Sequence, residues 1–154
     1  MDLDVHFRKG ITGYVKESKK KIMHLNDQVQ ATKESFVDFI KNYPSQTPVV
    51  MVNILKFKDK SGNGEETGKQ AYNRYAKNVT PLMANVGAKL IWGGYVKHTL
   101  IGDLSTQPDR FLIVYYPSKE AFIEMTTSEA YKKISHDREI ALEYGGLLAT
   151  ESFG

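Results

Sequence analysis

The stretch VVMVNILKFK, residues 49–58, is apolar on both sides of the β-strand that its composition predicts. Side chains alternate along a strand, so one face carries Met51, Asn53, Leu55 and Phe57, and the other carries Val50, Val52 and Ile54. Such a strand belongs in the middle of a sheet that is covered on both sides. Asn53 is the exception in it, because a buried amide without a hydrogen-bond partner costs about 1–3 kcal/mol. It is therefore the first candidate for a functional residue.

The order of the other elements restricts the fold further. After residue 31 the sequence predicts a helix over 32–42, a strand over 49–58, a helix over 69–86, strands over 89–102 and 110–117, two helical segments over 119–125 and 129–144, and a strand over 147–153. With short connections, this order gives an α+β, ferredoxin-like βαββαβ domain with a four-stranded antiparallel sheet over residues 31–154. Pro81 should kink or split the second long helix, and Gly145-Gly146 should end the last one. Residues 1–30 are weakly patterned and are predicted to form a loosely attached N-terminal arm.

The composition excludes several classes of function. The 154 residues include no cysteine, which rules out disulfides and thiolate chemistry, and their net charge is only +3. The basic run at residues 19–21 has no interleaved aromatic residues, so no nucleic-acid partner is expected. The chain has neither a run of about 18 apolar residues nor a secretory signal, so we expect a cytoplasmic protein without a membrane partner.

Two patterns that resemble ligand motifs do not meet the requirements of those motifs. His6, His24, His98 and His136 are far apart in the sequence and none has a partner four residues away, so no metal site is expected. The loop KDKSGNGEETG, residues 58–68, spaces its glycines as G-x-G-x-x-x-G, which differs from the dinucleotide-binding fingerprint G-x-G-x-x-G. It is predicted to be a flexible loop that acts at most as a lid.

The predicted sheet has helices on one face only, so its other face needs a different cover. The purely aliphatic side of residues 49–58 suits packing against helices, which would direct Asn53 to the opposite face. The simplest cover for that face is a second copy of the same sheet. We therefore expect a homodimer whose two sheets enclose an interior that Asn53 lines.

The chain resembles the family described as domain of unknown function 1330 in four segments that follow in order: PVVMVNILKFK, AYNRYAKNVTPLMANVGAKLIW, YYPSKEAFIEM and EAYKKISHDREIAL. The resemblance covers about Pro48 to Phe153. It implies the ferredoxin-like dimeric α/β-barrel fold and assigns no activity. Residues 1–30 lie outside the usual extent of that family, so nothing is carried onto them.

Five side chains are candidates for ligand binding, and each has a structural alternative. Arg138 interrupts the apolar stripe of the last helix, where a guanidinium must pair with a carboxylate, a backbone carbonyl or a bound anion. Trp92 precedes Gly93-Gly94, which have no side chains. The space beside the indole either holds a flat ligand, or the glycines form a bulge while Trp92 fills the core. His136 lies about 200° around the helix from Arg138 and is either an acid–base group or an exposed residue. Asn53 and Tyr75 either orient a ligand or are satisfied within the protein.

The resemblance in fold leaves two hypotheses for function open. Barrels of this kind include cofactor-independent monooxygenases, isomerases and haem-degrading enzymes, which implies a homodimeric enzyme acting on a small aromatic or acidic compound. Haem-degrading barrels use an asparagine, a tryptophan and a histidine, and here Asn53, Trp92 and either His98 or His136 are present. Apart from that hint, neither haem nor flavin nor another cofactor is expected. The alternative is a non-catalytic dimer that binds a metabolite or has a regulatory role, with Asn53 and Arg138 fully paired and no cavity.

Overall fold

Residues 28–154 are described by the computed structural model and form one sheet with four helices. The elements are α1 (Lys33–Asn42), β1 (Val49–Phe57), α2 (Gly68–Asn85), β2 (Lys89–Tyr95), a 3₁₀ turn (Leu104–Thr106), β3 (Arg110–Tyr116), α3 (Lys119–Thr127), α4 (Glu129–Ala141) and β4 (Leu142–Thr150). Most of the predicted N-terminal arm, residues 1–27, lies outside the described residues. Within 28–154, no helix is both long and apolar enough to cross a membrane.

The four strands are all antiparallel and follow the order β2-β3-β1-β4. This order, with α2 between β1 and β2 and with α3 and α4 between β3 and β4, is the ferredoxin-like arrangement. The predicted α+β fold is confirmed. β1 is a central strand, and its Asn53 lies opposite Leu112 of β3 on one side and Leu147 of β4 on the other.

Local sequence signals set the starts of the helices. The side chains of Thr32, Ser118 and Ser128 each accept a hydrogen bond from the backbone N–H three residues later, as helix N-caps do. Thr67 and Gln70 form a reciprocal capping box at the start of α2. These starts are encoded within a few residues, which is why the sequence locates them well.

Two boundaries near the middle of the chain differ from the prediction. A kink or a split of α2 was predicted at Pro81, and the split is wrong because the helix continues without interruption to Asn85. Gly87 then adopts a φ of +75°, as expected for the glycine that follows a helix end. β2 was predicted to reach Gly102 but ends at Tyr95, which pairs with Arg110 at the first position of β3.

The junction of α4 and β4 also differs from the prediction. The helical pattern extends to Tyr144, yet α4 ends at Ala141 and β4 begins at Leu142 with no intervening loop. Leu142 and Tyr144 pair instead with β1, opposite Phe57 and Lys56. The hydrogen bonds of the sheet therefore take over a segment that favours a helix locally, and Gly145-Gly146 lie inside β4.

β1 turns the face that carries Asn53 toward the helices. Met51 and Leu55, which share that face, are buried in one cluster with Tyr72 of α2. The prediction that the Val50 side packs against the helices is therefore wrong. Because both sides of β1 are apolar, alternation separates the two sets of side chains and cannot tell which set meets the helices.

The opposite side of the sheet has no helix against it among the described residues. It carries apolar side chains from all four strands, namely Val50, Val52, Ile54, Trp92, Phe111, Ile113, Tyr115 and Leu148. We call this surface the open face. Trp92 is 54% exposed and Leu148 is 44% exposed, and the indole of Trp92 occupies the space that a Cβ atom at Gly94 would need. Exposed apolar patches are typical of interaction surfaces.

The loop over residues 58–68, which was predicted to be flexible, makes hydrogen bonds to α2 and α4. The backbone N–H of Gly62 donates to the carbonyl oxygen of Ile140 at 2.9 Å. Arg74 of α2 makes paired hydrogen bonds of 2.6–3.0 Å to Glu66 of the loop and to Asp137 of α4. These contacts place the loop beside the end of α4.

Candidate functional site

A cleft of about 680 Å³ lies between the sheet and the helices. The helix-facing side of β1 and β4 forms its floor, while α1, α3, α4 and the segment 28–31 supply the walls. Its size falls within the roughly 300–1,000 Å³ typical of small-molecule sites. Asn53 was predicted to line an interior between two sheets, but it lies in a cleft within one chain.

Lys119 fixes α1 as a wall of this cleft. Its side chain is only 6% exposed, and its ammonium group donates to the carbonyl oxygens of Ile40 and Tyr43 at 2.6 and 2.5 Å. Both carbonyls belong to the C-terminal end of α1, where helix carbonyls lack partners and positive charge is favourable. α1 itself contributes no fully buried residue, so this contact is a principal attachment of the helix.

Asn53 lies on the floor of the cleft, in the middle of β1. Its neighbours along the floor are the apolar side chains of Met51, Leu147 and Ala149. Within residues 28–154 its side-chain amide has no hydrogen-bond partner, and it is not sealed from solvent. The amide therefore offers one acceptor and two donors to a molecule in the cleft.

Arg138 reaches the same cleft from α4. Its guanidinium donates from Nη1 to the carbonyl oxygen of Val29 and from Nη2 to that of Gly145 at 3.3 Å. No carboxylate within residues 28–154 pairs with it. A guanidinium has five N–H donors, so three remain without a partner among the described residues. Arg138 thus combines a structural role with a positive charge at the cleft.

Two tyrosines add hydroxyl groups to the cleft. The hydroxyl groups of Tyr75 on α2 and Tyr131 on α4 lie 3.2 Å apart. Burial, together with the charge and the hydrogen bond of Tyr131, raises the pKa of Tyr75 well above its ordinary value, and the positive charge of Arg138 acts in the opposite direction. The hydroxyl group of Tyr75 is therefore neutral at physiological pH. Its hydrogen bond to Tyr131 links the protein interior to the cleft.

The rest of the lining is largely apolar and aromatic. It includes Phe36 and Phe39 of α1, Tyr116 of β3, and Phe122 and Met125 of α3. Flat apolar walls around a few convergent donors are the usual composition of a site for a small organic ligand.

The other predicted site residues lie elsewhere. Trp92 is on the open face, on the opposite side of the sheet from Asn53. His136 is exposed on α4, and its Nδ1 lies 3.7 Å from a carboxylate oxygen of Glu139. His98 is exposed after β2. The structure therefore brings Asn53, Tyr75 and Arg138 together and separates them from the tryptophan and histidines that a haem-degrading site would need nearby. Among residues 28–154, no group of three or more acidic or histidine side chains is placed to hold a metal ion.

Sequence reasoning missed several lining residues. Ser135 was interpreted as part of an apolar helix stripe, and Gly145 as a helix stop. Lys119 follows a cap residue at a helix start, where nothing in the sequence distinguishes a buried lysine from an exposed one. Only the packing of α1 over α3 reveals its role.

Comparison with known proteins places the chain in a family. Residues 63–151 match the family described as domain of unknown function DUF1330. The chain belongs to this family. The DUF1330 match includes α2 to β4, and with them Tyr75, Tyr131 and Arg138, while Asn53 lies before it. A search of curated proteins found no match.

Solved structures agree with the fold of this DUF1330 chain. A protein of unknown function from Rhodopseudomonas palustris, RPA0582, is 29% identical with a TM-score of 0.78, over 82% of this chain and 98% of that one. The hydroxynitrile lyase from Passiflora edulis is 12% identical with a TM-score of 0.52, over 71% of this chain and 99% of the other. The first is a similar protein without an assigned activity, and the second shows a shared fold alone.

Proposed function

We propose that this DUF1330 protein binds a small organic molecule in the cleft between its sheet and its helices. The observation that carries the proposal is the amide of Asn53 in the cleft floor, which has no hydrogen-bond partner among residues 28–154. A central strand that lacked a functional role at this position would gain stability from an apolar residue, since the surrounding side chains are apolar. The half-satisfied guanidinium of Arg138 supports the same conclusion.

The donors favour an enzyme that needs no cofactor as the specific form of this function. Asn53, Tyr75, Tyr131 and Arg138 all offer N–H or O–H groups to one cavity, and such groups stabilise negative charge that develops on a substrate oxygen. This suits monooxygenase-like or isomerase-like chemistry on a small aromatic or acidic compound. The second candidate, a non-catalytic dimer that binds a metabolite for regulation, is favoured by the lack of a histidine in the described lining of the cleft.

We also propose that the protein is a homodimer joined through the open face. Eight apolar side chains from all four strands lie on that face, and a second copy supplies an identical apolar surface to meet it. The family resemblance to dimeric α/β barrels supports the same arrangement. Because Asn53 points to the other side of the sheet, each protomer keeps its own cleft.

A thermal-shift screen of the whole chain tests ligand binding. The panel contains small carboxylates, phenols, quinones, flavins and haemin, and each compound is run with wild type, with Asn53→Ala and with Asn85→Ala as the matched control. A ligand at 100 times its Kd stabilises the folded state by roughly 2.7 kcal/mol, which raises Tm measurably. We expect a shift that Asn53→Ala abolishes and Asn85→Ala preserves, because Asn85 is exposed at the end of α2. If no compound shifts Tm, or if both variants respond like wild type, the cleft is not the binding site. If a compound does bind, measuring whether the protein converts it distinguishes an enzyme from a non-catalytic regulatory protein.

A further inference from the structure

We infer that the ligand of the cleft is a small aromatic carboxylate, with its carboxylate bound by Arg138 and Tyr131 and its ring held between the aromatic walls. The inference rests on the proposed function, because it names the ligand class of the same cleft. Three independent features support it, which are the net charge of the lining, the direction of the hydrogen-bond donors and the shape of the apolar part.

The charged groups in the lining favour an anion. Lys33 of α1 and Arg138 of α4 are its cations, and Glu139 is the one carboxylate in the described lining. The Glu139 carboxylate lies 3.7 Å from Nδ1 of exposed His136 and makes no ion pair with Arg138 among the described residues. The Arg138 charge also acts on the buried hydroxyls of Tyr72 and Tyr75, where it opposes the burial that raises their pKa values. Two cations and one carboxylate leave the described lining with a net charge of +1, which favours an anionic ligand.

The polar groups present donors at neighbouring points of the cleft. Arg138 contacts Gly145, and Asn53 pairs with Leu147 two residues further along β4, which places the two groups about 7 Å apart along the sheet. Tyr131 lies one helical turn before Ser135 and two turns before Arg138 on α4, so its hydroxyl faces the same side. A guanidinium already held by backbone carbonyls is preorganised, and its remaining N–H groups suit a carboxylate better than a neutral group.

The apolar part of the cleft selects a flat ligand. Phe36, Phe39, Phe122 and Tyr116 line it, and the rings of Phe39 and Phe122 pack edge to face with their centroids 5.8 Å apart. Aromatic rings pack favourably against edges and faces of this kind. A ring system with one carboxylate therefore satisfies both halves of the site, whereas an aliphatic acid or a neutral arene satisfies only one.

The test compares two ligands of nearly the same shape, one with a carboxylate and one with a neutral amide in its place. Isothermal titration calorimetry on the whole chain measures Kd for 2-naphthoate and for 2-naphthamide, with wild type, Arg138→Gln, Tyr131→Phe and Arg74→Lys as the control arginine outside the cleft. We expect wild type and Arg74→Lys to bind the acid about ten to a hundred times more tightly than the amide. Arg138→Gln should reduce that ratio to near one, and Tyr131→Phe should reduce it severalfold.

A measurement on wild type keeps the test decisive if Arg138→Gln does not fold. The ¹H–¹⁵N signal of the Arg138 Nε–H group, assigned with Arg138→Lys, should move when 2-naphthoate is added and stay in place with 2-naphthamide. If acid and amide bind with equal affinity, or the acid binds without moving this signal, the carboxylate inference is overturned while the binding cleft stands. If neither binds at millimolar concentration and the ligand panel is also inactive, the proposed function fails together with the inference.

Discussion

Nη2 of Arg138 donates to the carbonyl oxygen of Gly145 over 3.3 Å, across the junction where α4 passes directly into β4. The same guanidinium holds the carbonyl oxygen of Val29, and the backbone N–H of Gly145 donates to the carbonyl oxygen of Gln28 at 2.6 Å. One arginine and one glycine thus join the segment before α1, helix α4 and strand β4. The wall of the cleft depends on this junction.

Gly145→Ala should damage this junction. An added Cβ atom would lie 2.8 Å from Nη2 of Arg138 and 2.7 Å from a methyl carbon of Leu142, both too close for ordinary packing. Overpacking of this kind typically lowers the free energy of unfolding by about 1–3 kcal/mol. Urea denaturation measures the loss. Gly154→Ala is the control, because a methyl group there meets no atom within 4 Å. Equal stability of the two variants would show that the junction tolerates displacement of Arg138.

Lys119→Met should detach α1 from the rest of the fold. The substitution keeps most of the buried side-chain volume but removes both hydrogen bonds to the carbonyl oxygens of Ile40 and Tyr43. Loss of charge-assisted hydrogen bonds at a buried site should lower the free energy of unfolding by about 1.5–3 kcal/mol. Hydrogen exchange should also speed up in α1 more than in α2. Lys132→Met removes only an exposed ion pair with Glu129 and should change stability by less than about 1 kcal/mol. If the amide hydrogens of α1 exchanged in Lys119→Met at the wild-type rate, Lys119 would not be the residue that attaches α1.

The Glu66–Arg74 contact predicts a pH dependence of stability. The hydrogen bond from Arg74 is the main cause that lowers the pKa of Glu66 below its ordinary 4.5. A carboxylate with a lowered pKa in the folded state contributes stability above its ordinary pKa, and this contribution disappears as the pH falls through the lowered value. Glu66→Gln should therefore have a lower Tm than wild type at pH 7, and the two Tm values should converge below pH 4.5.

The neighbouring Glu65 provides the control for that experiment. Glu65 is exposed and has no ion pair among the described residues, so Glu65→Gln should follow the Tm of wild type across the same pH range. A Glu66→Gln difference that persists unchanged at pH 3 would indicate that the amide disturbs the loop by packing rather than by loss of charge.

Ile113→Glu should separate the proposed dimer into monomers. Ile113 lies in the centre of the open face, between Trp92 of β2 and Val52 of β1. A carboxylate there would be buried without a partner in the interface, which is strongly unfavourable. Light scattering after size-exclusion chromatography should report about half the wild-type mass for this variant. Lys133→Glu on the exposed side of α4 should keep the wild-type mass. A monomeric wild type would overturn the proposal of a homodimer through this face.

The single tryptophan offers an independent measurement of the same association. Trp92 is 54% exposed on the open face in one chain, and a second copy on that face would bury it. Its fluorescence emission should therefore move to shorter wavelength as the protein concentration rises through the dissociation constant. The emission of Ile113→Glu should stay at the longer wavelength at every concentration, and an identical shift in the variant would assign the change to something other than dimer formation.

The sequence determined the elements that depend on neighbouring residues. The caps at Thr32, Thr67, Ser118 and Ser128 each involve residues only three positions apart, so the starts of the helices follow from the chain itself. The order of elements then led to the ferredoxin-like fold, because few topologies allow these elements to be joined by such short connections.

Only the tertiary structure decided where the candidate site lies. Period-two alternation in β1 separates the Asn53 side from the Val52 side. Which of the two sides the helices cover depends on contacts with α2 and α4, which are distant in sequence. The pattern over residues 129–144 likewise predicted a longer helix than the structure has. Pairing with β1 outweighs the local helical preference at Leu142 and Tyr144. Local sequence encodes which residues alternate and where helices begin. The side of the sheet that receives the helices, and with it the cleft that holds Asn53 and Arg138, is set by packing between segments far apart in the chain.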